Sequence, residues 1–311
     1  MMRRAAGAVL AALACGGCAA GSRGGTARQA ELRVGDTIRT FQLFVPRRLT
    51  QRGPVPLVLA FHGTGESGAA FRAATGFDRL AARDGFLVAY PDAAVGNWAE
   101  GCDCSRADRL GINDTGFVRT LIDSLSGRFP VDPSRVFAVG FSQGGLFAQR
   151  LACELAGRIA GVASVSAPIS AALAERCGPQ WPVSVLVLMG TLDDAYPYEG
   201  RGVGPRATLG ARAAVALWRA LDACDPSAVA TALPDRVADG TTVLEERWPR
   251  CAGGREVGLY TVDGGRHAWS PSQDVNTTEV VTAFFLRQAR TRGPRPARPE
   301  ASQRPAAGRP G

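Results

Sequence analysis

The chain has 311 residues, 46% of them hydrophobic, with a formal net charge of +8, two histidines and eight cysteines. Residues 1–30 carry +4 and residues 286–311 carry +6, which leaves −2 on the stretch between them. The body of the chain therefore lacks the excess of cations that a nucleic-acid groove needs, and no nucleic-acid partner is expected.

The N-terminus reads as a targeting segment. Arg3-Arg4 form a basic start, and Ala5 to Ala14 form an apolar run too short to span a bilayer. In Leu13-Ala14-Cys15-Gly16-Gly17-Cys18 a small residue precedes each cysteine, as in a bacterial lipobox with Cys15 or Cys18 acylated and membrane attachment through that lipid. Ordinary cleavage near Ala20 is the alternative, and both routes export the protein. Residues 1–20 are accordingly read as signal peptide, 21–30 as flexible linker, 31–289 as one folded domain and 290–311 as a disordered Arg/Pro-rich tail.

Glu31 to Pro46 alternates apolar and polar residues around Gly35-Asp36, which predicts an opening antiparallel hairpin. The run 56–61 is a buried strand ending in His62-Gly63-Thr64. Helical spacing covers Phe71 to Asp84, stopped by Gly85, and residues 86–91 form the next strand. Asp114 is expected to cap a helix reaching Arg128. The strand 136–140 follows, then a helix to Ala156, the strand 183–189, a helix over Arg206–Asp222, the strand 256–262 and a last helix over 276–290. This alternation predicts an α/β fold with a mostly parallel sheet and helices on both faces.

Gly140-Phe141-Ser142-Gln143-Gly144 lies between the strand and the helix, so it has the form and the context of a nucleophile elbow. The turn would lift the Ser142 hydroxyl above the sheet and leave the Gln143 N–H free at a helix start. The His62-Gly63 turn upstream holds the place of a second oxyanion donor, through the N–H of Thr64. Asp193 and Asp194 follow a strand, and His267 follows the next one. The order Ser, Asp, His is that of an α/β-hydrolase triad. Only two histidines exist, and His62 precedes the serine, so His267 is the expected base. Trp98 and Trp269 are expected at the substrate pocket.

Six cysteines remain beyond the targeting segment: Cys102, Cys104, Cys153, Cys177, Cys224 and Cys251. An even number fits disulfides in an oxidising compartment. The expected pairs are Cys224–Cys251 and then Cys153–Cys177, which leaves Cys102 and Cys104 for each other. No metal is expected at the Cys-x-Cys, since no histidine ligand lies nearby.

The chain resembles the secreted polyhydroxybutyrate depolymerase-like esterases, a group allied to the feruloyl and acetylxylan esterases of carbohydrate esterase family one. The residues that carry the resemblance are His62-Gly63, Trp98 to Cys104, Asn113 to Phe117, Phe129 to Val136, the elbow, Leu151 to Leu155, Gly190-Thr191-Leu192-Asp193 with Pro197-Tyr198, Cys251 to Gly254, and Gly264 to Trp269. The resemblance implies an α/β-hydrolase fold, no cofactor, and Asp193 rather than Asp194 as the acid. It implies ester hydrolysis, with a feruloyl or acetylxylan ester as the alternative to a hydroxyalkanoate polymer. A cell-envelope acyltransferase or a binding protein on the same fold is the alternative of another class. Three departures stand out: Arg266 replaces a third glycine, Met189 replaces a histidine, and Phe141 and Gln143 replace leucine and asparagine; set against the family pattern, Arg266 is expected to place a cation at the substrate pocket.

Overall fold

The computed structural model describes residues 24–47, 49 and 53–288. The signal segment, Cys15, Cys18 and the tail from residue 289 lie outside the described residues.

Ten strands form one sheet: β1 Gly25–Val34, β2 Thr37–Pro46, β3 Val55–Phe61, β4 Leu87–Pro91, β5 Val131–Phe141, β6 Gly161–Val165, β7 Ser184–Gly190, β8 Val229–Ala232, β9 Thr242–Cys251 and β10 Arg255–Asp263. Their spatial order is β1-β2-β4-β3-β5-β6-β7-β10-β9-β8. The six central strands, from β4 to β10 in that order, run parallel. Antiparallel pairs close both edges, β1 and β2 on one side and β9 and β8 on the other.

The central strands are buried on both faces, so their sequences are nearly continuous apolar runs. Successive side chains point to opposite faces. In β3, Leu57, Leu59 and Phe61 join one core layer, and Val58 and Ala60 join the other. In β7, Val185, Val187 and Met189 face the first layer, with Leu186 and Leu188 in the second. Helices α4 (Asp114–Ser126), α5 (Gln143–Glu154) and α7 (Ala211–Leu221) cover the first layer. Helices α1 (Gly68–Thr75), α2 (Phe77–Asp84) and α8 (Thr277–Arg287) cover the second. Two short helices, α3 (Arg106–Arg109) and α6 (Ala171–Arg176), lie in loops on the C-terminal side of the strands.

Several local expectations are corrected. The first strand begins at Gly25, so residues 25–30 are paired backbone rather than linker. The helix expected over 71–84 is two helices. Gly76 adopts φ 69° and serves as the end of α1 and the start of α2, a left-handed conformation that glycine adopts without steric cost. Asn113, not Asp114, caps α4, accepting from the N–H of Gly116 at 2.8 Å. Asp114 is instead fully buried and paired with Arg39 at 2.7 Å. The helix expected from Arg206 begins at Ala211, which frees 206–210 to form the wall of a cleft.

All three expected disulfides are present. Cys224–Cys251 ties the turn after α7 to the end of β9, Cys153–Cys177 joins α5 to the turn after α6, and Cys102–Cys104 closes on itself within one loop.

Candidate active site

Ser142 sits between β5 and α5 with φ 55° and ψ −127°. A left-handed serine is strained, and the surrounding backbone is built to hold it. Its N–H donates to Val165 O at 3.0 Å, and its carbonyl accepts from Gly145 N at 2.8 Å. The elbow glycines are steric requirements. A Cβ on Gly140 would lie 1.9 Å from the carbonyl oxygen of Gly144, and one on Gly144 would lie 2.2 Å from that of Phe61.

Asp193 leaves the C-terminal end of β7, and His267 leaves the end of β10, the neighbouring parallel strand. Leu192 N donates to Gly265 O at 2.8 Å, and Thr191 N to Val262 O at 2.9 Å, so the acid loop and the base loop are stitched together. This close approach needs Gly190, where a Cβ would lie 2.2 Å from the Gly265 oxygen. The result is a continuous relay. His267 Nε2 is 3.0 Å from Ser142 Oγ, and Nδ1 is 3.0 and 2.9 Å from the two oxygens of Asp193. An ionised carboxylate only accepts, so Nδ1 carries the proton and Nε2 is free to accept from the serine hydroxyl.

Asp193 is 4% exposed, and its Oδ1 also accepts from the N–H groups of Ala195 and Tyr196 at 3.0 and 2.8 Å. Asp194 is exposed to solvent, and among the described residues His267 Nδ1 bonds Asp193 and not Asp194. The two adjacent acids are thus separated by geometry. The imidazole packs against Phe141 and Tyr196, with ring centroids 5.0 and 5.9 Å away.

The backbone N–H groups of Thr64 and Gln143 have no hydrogen-bond partner among the described residues. The Gln143 side chain has a role the motif does not reveal. It is buried, and its Oε1 accepts from Thr64 Oγ1, Asn97 Nδ2 and Trp98 N at 3.1 to 3.2 Å. Its Nε2 donates to Trp98 O at 3.3 Å. One amide therefore locks the elbow to both loops beside it.

The other histidine is structural. His62 is buried, donates from Nδ1 to Gly63 O at 2.7 Å and accepts at Nε2 from Ala93 N at 3.1 Å. Burial lowers its pKa, which suits a ring held neutral.

The three expected pocket residues lie elsewhere. Trp98 is fully buried, stacked on Phe147 at 5.1 Å, and donates to His62 O. Trp269 packs edge-on to Phe71 and Phe77 and donates to Thr278 Oγ1 at 3.0 Å, so it braces the His267 loop from behind. Arg266 is exposed and lies outside the cleft beside Ser142. Its place two residues after His267 suggested Trp269, and the exchange of a family glycine suggested Arg266, but neither side chain lines the cleft beside Ser142.

That cleft has a volume of about 390 Å³. Ser142, Thr64 and Gln143 line it together with Glu100, Tyr196 and the Cys102–Cys104 disulfide. Four arginines, Arg106, Arg109, Arg201 and Arg206, complete it. Glu100 is 5% exposed, and burial raises its pKa to about 8, with the charge of Asp108 adding to the effect. Glu100, Cys102 and Cys104 cluster as metal donors do, but the two sulfurs are bonded to each other and offer no thiolate.

The parallel sheet, the strand-turn-helix elbow and a linked serine, aspartate and histidine beyond the C-terminal ends of β5, β7 and β10 define an α/β-hydrolase fold. Residues 40–177 match the model of the Esterase PHB depolymerase family. The putative esterase NocK of Nocardia uniformis subsp. tsuyamanensis is 30% identical over 225 residues, covering 69% of this chain and 65% of that protein. Feruloyl esterase B of Piromyces equi is 29% identical over 235 residues, covering 72% of this chain and 41% of its own length. The chain thus spans less than two thirds of either relative. Among solved structures, the acetyl xylan esterase from Aspergillus awamori superposes with a TM-score of 0.58 at 14% identity, over 83% of this chain and 99% of that one. A thermostable esterase gives a TM-score of 0.59 at 16% identity, over 85% and 63%.

Proposed function

We propose that this protein is a serine carboxylic ester hydrolase that works through an acyl-enzyme. Ser142 Oγ attacks the ester carbonyl while His267 Nε2 takes its proton. Asp193 holds the imidazole in the required tautomer and stabilises the imidazolium that forms. The N–H groups of Thr64 and Gln143 receive the oxyanion, and each such donor contributes roughly 3 kcal/mol to the transition state. The imidazolium then protonates the leaving alcohol. In the second half, His267 deprotonates water, which attacks the acyl carbonyl and releases the acid and free Ser142.

The observation that carries this reading is the unbroken relay from Ser142 through His267 to Asp193. A fluorophosphonate probe tests it. The wild-type protein should be labelled at Ser142 and Ser142→Ala should not; equal labelling of both would end the assignment.

The substrate class in this reading is a hydroxyalkanoate polyester or oligomer, which the family match supports, with feruloyl or acetylxylan esters as the second reading that other relatives support. The reading includes export, which the three disulfides support, since such bonds persist in oxidising compartments. Attachment through an acylated Cys15 or Cys18 is part of the same proposal.

A further inference from the structure

The wall of the cleft has a chemical character that ester hydrolysis does not require. Its four arginines come from two separated segments, Arg106 and Arg109 on α3 and Arg201 and Arg206 on the loop after Tyr198. Elsewhere the arginines commonly meet acids, as in Arg72–Asp78, Arg135–Asp132 and Arg212–Glu246. Among the described residues, none of the four cleft arginines has a carboxylate within ion-pair distance. The Arg106 and Arg206 side chains make no hydrogen bond there either.

The wall is held in place by its own bonds. The Ser105 hydroxyl caps α3, accepting from Asp108 N at 3.0 Å, and Arg109 donates to Cys104 O. The Cys102–Cys104 bond fixes the loop that leads into α3. On the opposite side, reciprocal backbone bonds between Arg201 and Thr208, at 3.1 and 3.0 Å, close the loop that carries Arg206. Arg201 Nη2 donates to Ala195 O at 3.0 Å. Among the residues that line the cleft the one acid is Glu100, whose pKa burial raises to about 8 against the pull of Arg206, which weakens its offset of these charges. A cationic cleft therefore sits on a domain body whose net charge is −2.

We infer that the cleft beside Ser142 is a subsite for a carboxylate carried by the ester substrate, held by Arg106 and Arg206 with Arg109 and Arg201 in support. The planar guanidinium matches a carboxylate with two parallel hydrogen bonds, and the partly enclosed cleft keeps that pairing from being fully screened. The substrate class is then an ester with a free acid on its acyl or its alcohol side, such as an acid-terminated hydroxyalkanoate oligomer or an ester of a carboxylated sugar or aromatic. This deepens the hydrolase reading above and rests on it.

The test compares matched esters on the purified protein. Mono-4-nitrophenyl suberate and its neutral suberamate analogue place the carboxylate on the acyl side. 4-Acetoxybenzoate and 4-acetoxybenzamide place it on the alcohol side. In at least one pair the carboxylate ester should have a kcat/KM about tenfold higher or more, the scale of a charge-assisted pair. The ratio should fall toward one in the Arg106→Ala/Arg206→Ala double variant and at high salt. Arg119→Ala, on α4 and outside the cleft, should keep it. Both cleft side chains are exposed, and a melting curve confirms that the double variant is folded. Ratios at or below one in both pairs, or a ratio kept by the double variant, overturn the subsite and leave the hydrolase reading standing. If no ester is turned over, the hydrolase reading fails instead. Calorimetry with suberate then decides the subsite: binding that the double variant loses upholds it, and no binding overturns it.

Discussion

The two flanks of Ser142 are built on opposite plans. On the His267 side, every group is fixed by backbone stitching between β7 and β10 and by Trp269 packed on Phe71 and Phe77. On the cleft side, α3 and the 201–208 loop present exposed arginines on short irregular segments. The first flank tolerates little displacement, because the relay depends on bonds near 3 Å. The second can change side chains without disturbing the sheet. On the two proposals above, reaction and selectivity thus fall to separate parts of the molecule.

The largest effect should come from the rigid flank. Ser142→Ala, His267→Ala or Asp193→Asn should each lower kcat by about 10⁴-fold or more, while Asp194→Asn should leave kcat nearly unchanged. Steady-state kinetics on a short 4-nitrophenyl ester reads all four, and a greater loss with Asp194→Asn would reverse the assignment of the acid.

The disulfides sharpen the contrast. Cys224–Cys251 spans 27 residues and anchors β9, the strand that flanks β10. Replacing both cysteines with alanine should cost about 3.5 kcal/mol in denaturant unfolding, by the loop-closure argument. Cys102–Cys104 encloses the single residue Asp103, so its removal should cost less stability while altering discrimination among esters. The same cost for both pairs would contradict the division between flanks.

Gln143 is the joint between them. Gln143→Ala leaves the hydroxyl of Thr64 and both backbone groups of Trp98 without their partner. A loss of about 2 kcal/mol is expected, with a higher KM as the 97–100 loop loosens. Thermal unfolding together with kinetics measures both.

Two buried acids give a pH signature. Burial raises Glu100 and Asp222 to about 8. Between the ordinary carboxylate range and about 8, the folded protein holds protons that the unfolded chain has released, so stability falls as pH rises through that window. Unfolding at a series of pH values should show this slope, and Glu100→Gln or Asp222→Asn should flatten it. The smallest effect is assigned to Arg266→Ala. This exposed side chain lies outside the cleft, and stability should change by no more than about 0.5 kcal/mol, with ester preference unaltered.

Much of the rigid flank was legible in the sequence, because its chemistry constrains residue type locally. The elbow needs its glycines, and two histidines leave one base in the right order. Between Asp193 and Asp194, residue type alone decided nothing; only the resemblance favoured Asp193, and the relay places that carboxylate on His267. The cleft was not legible. Arg106 and Arg206 are a hundred positions apart and meet only through the fold, while net charge averaged over the domain concealed them. Trp98 and Arg266 misled for the opposite reason. They adjoin motif residues in sequence, yet one turns into the core and the other away from the site. The edge strands β8 and β9 escaped notice because β8 is four exposed residues with no buried face, and Glu245, Glu246 and Arg247 interrupt the apolar pattern of β9.

The placement of His267 after β10 also sets the order in which the site comes into being. The nucleophile precedes the base by 125 residues and the acid precedes it by 74. A chain still emerging from the ribosome carries the elbow and the carboxylate long before it carries an imidazole to join them. Even then, the ring reaches Ser142 only once β10 has slotted beside β7. On the proposed mechanism, half-made protein is therefore chemically silent, and the relay switches on only when the sheet has taken up its last parallel strand.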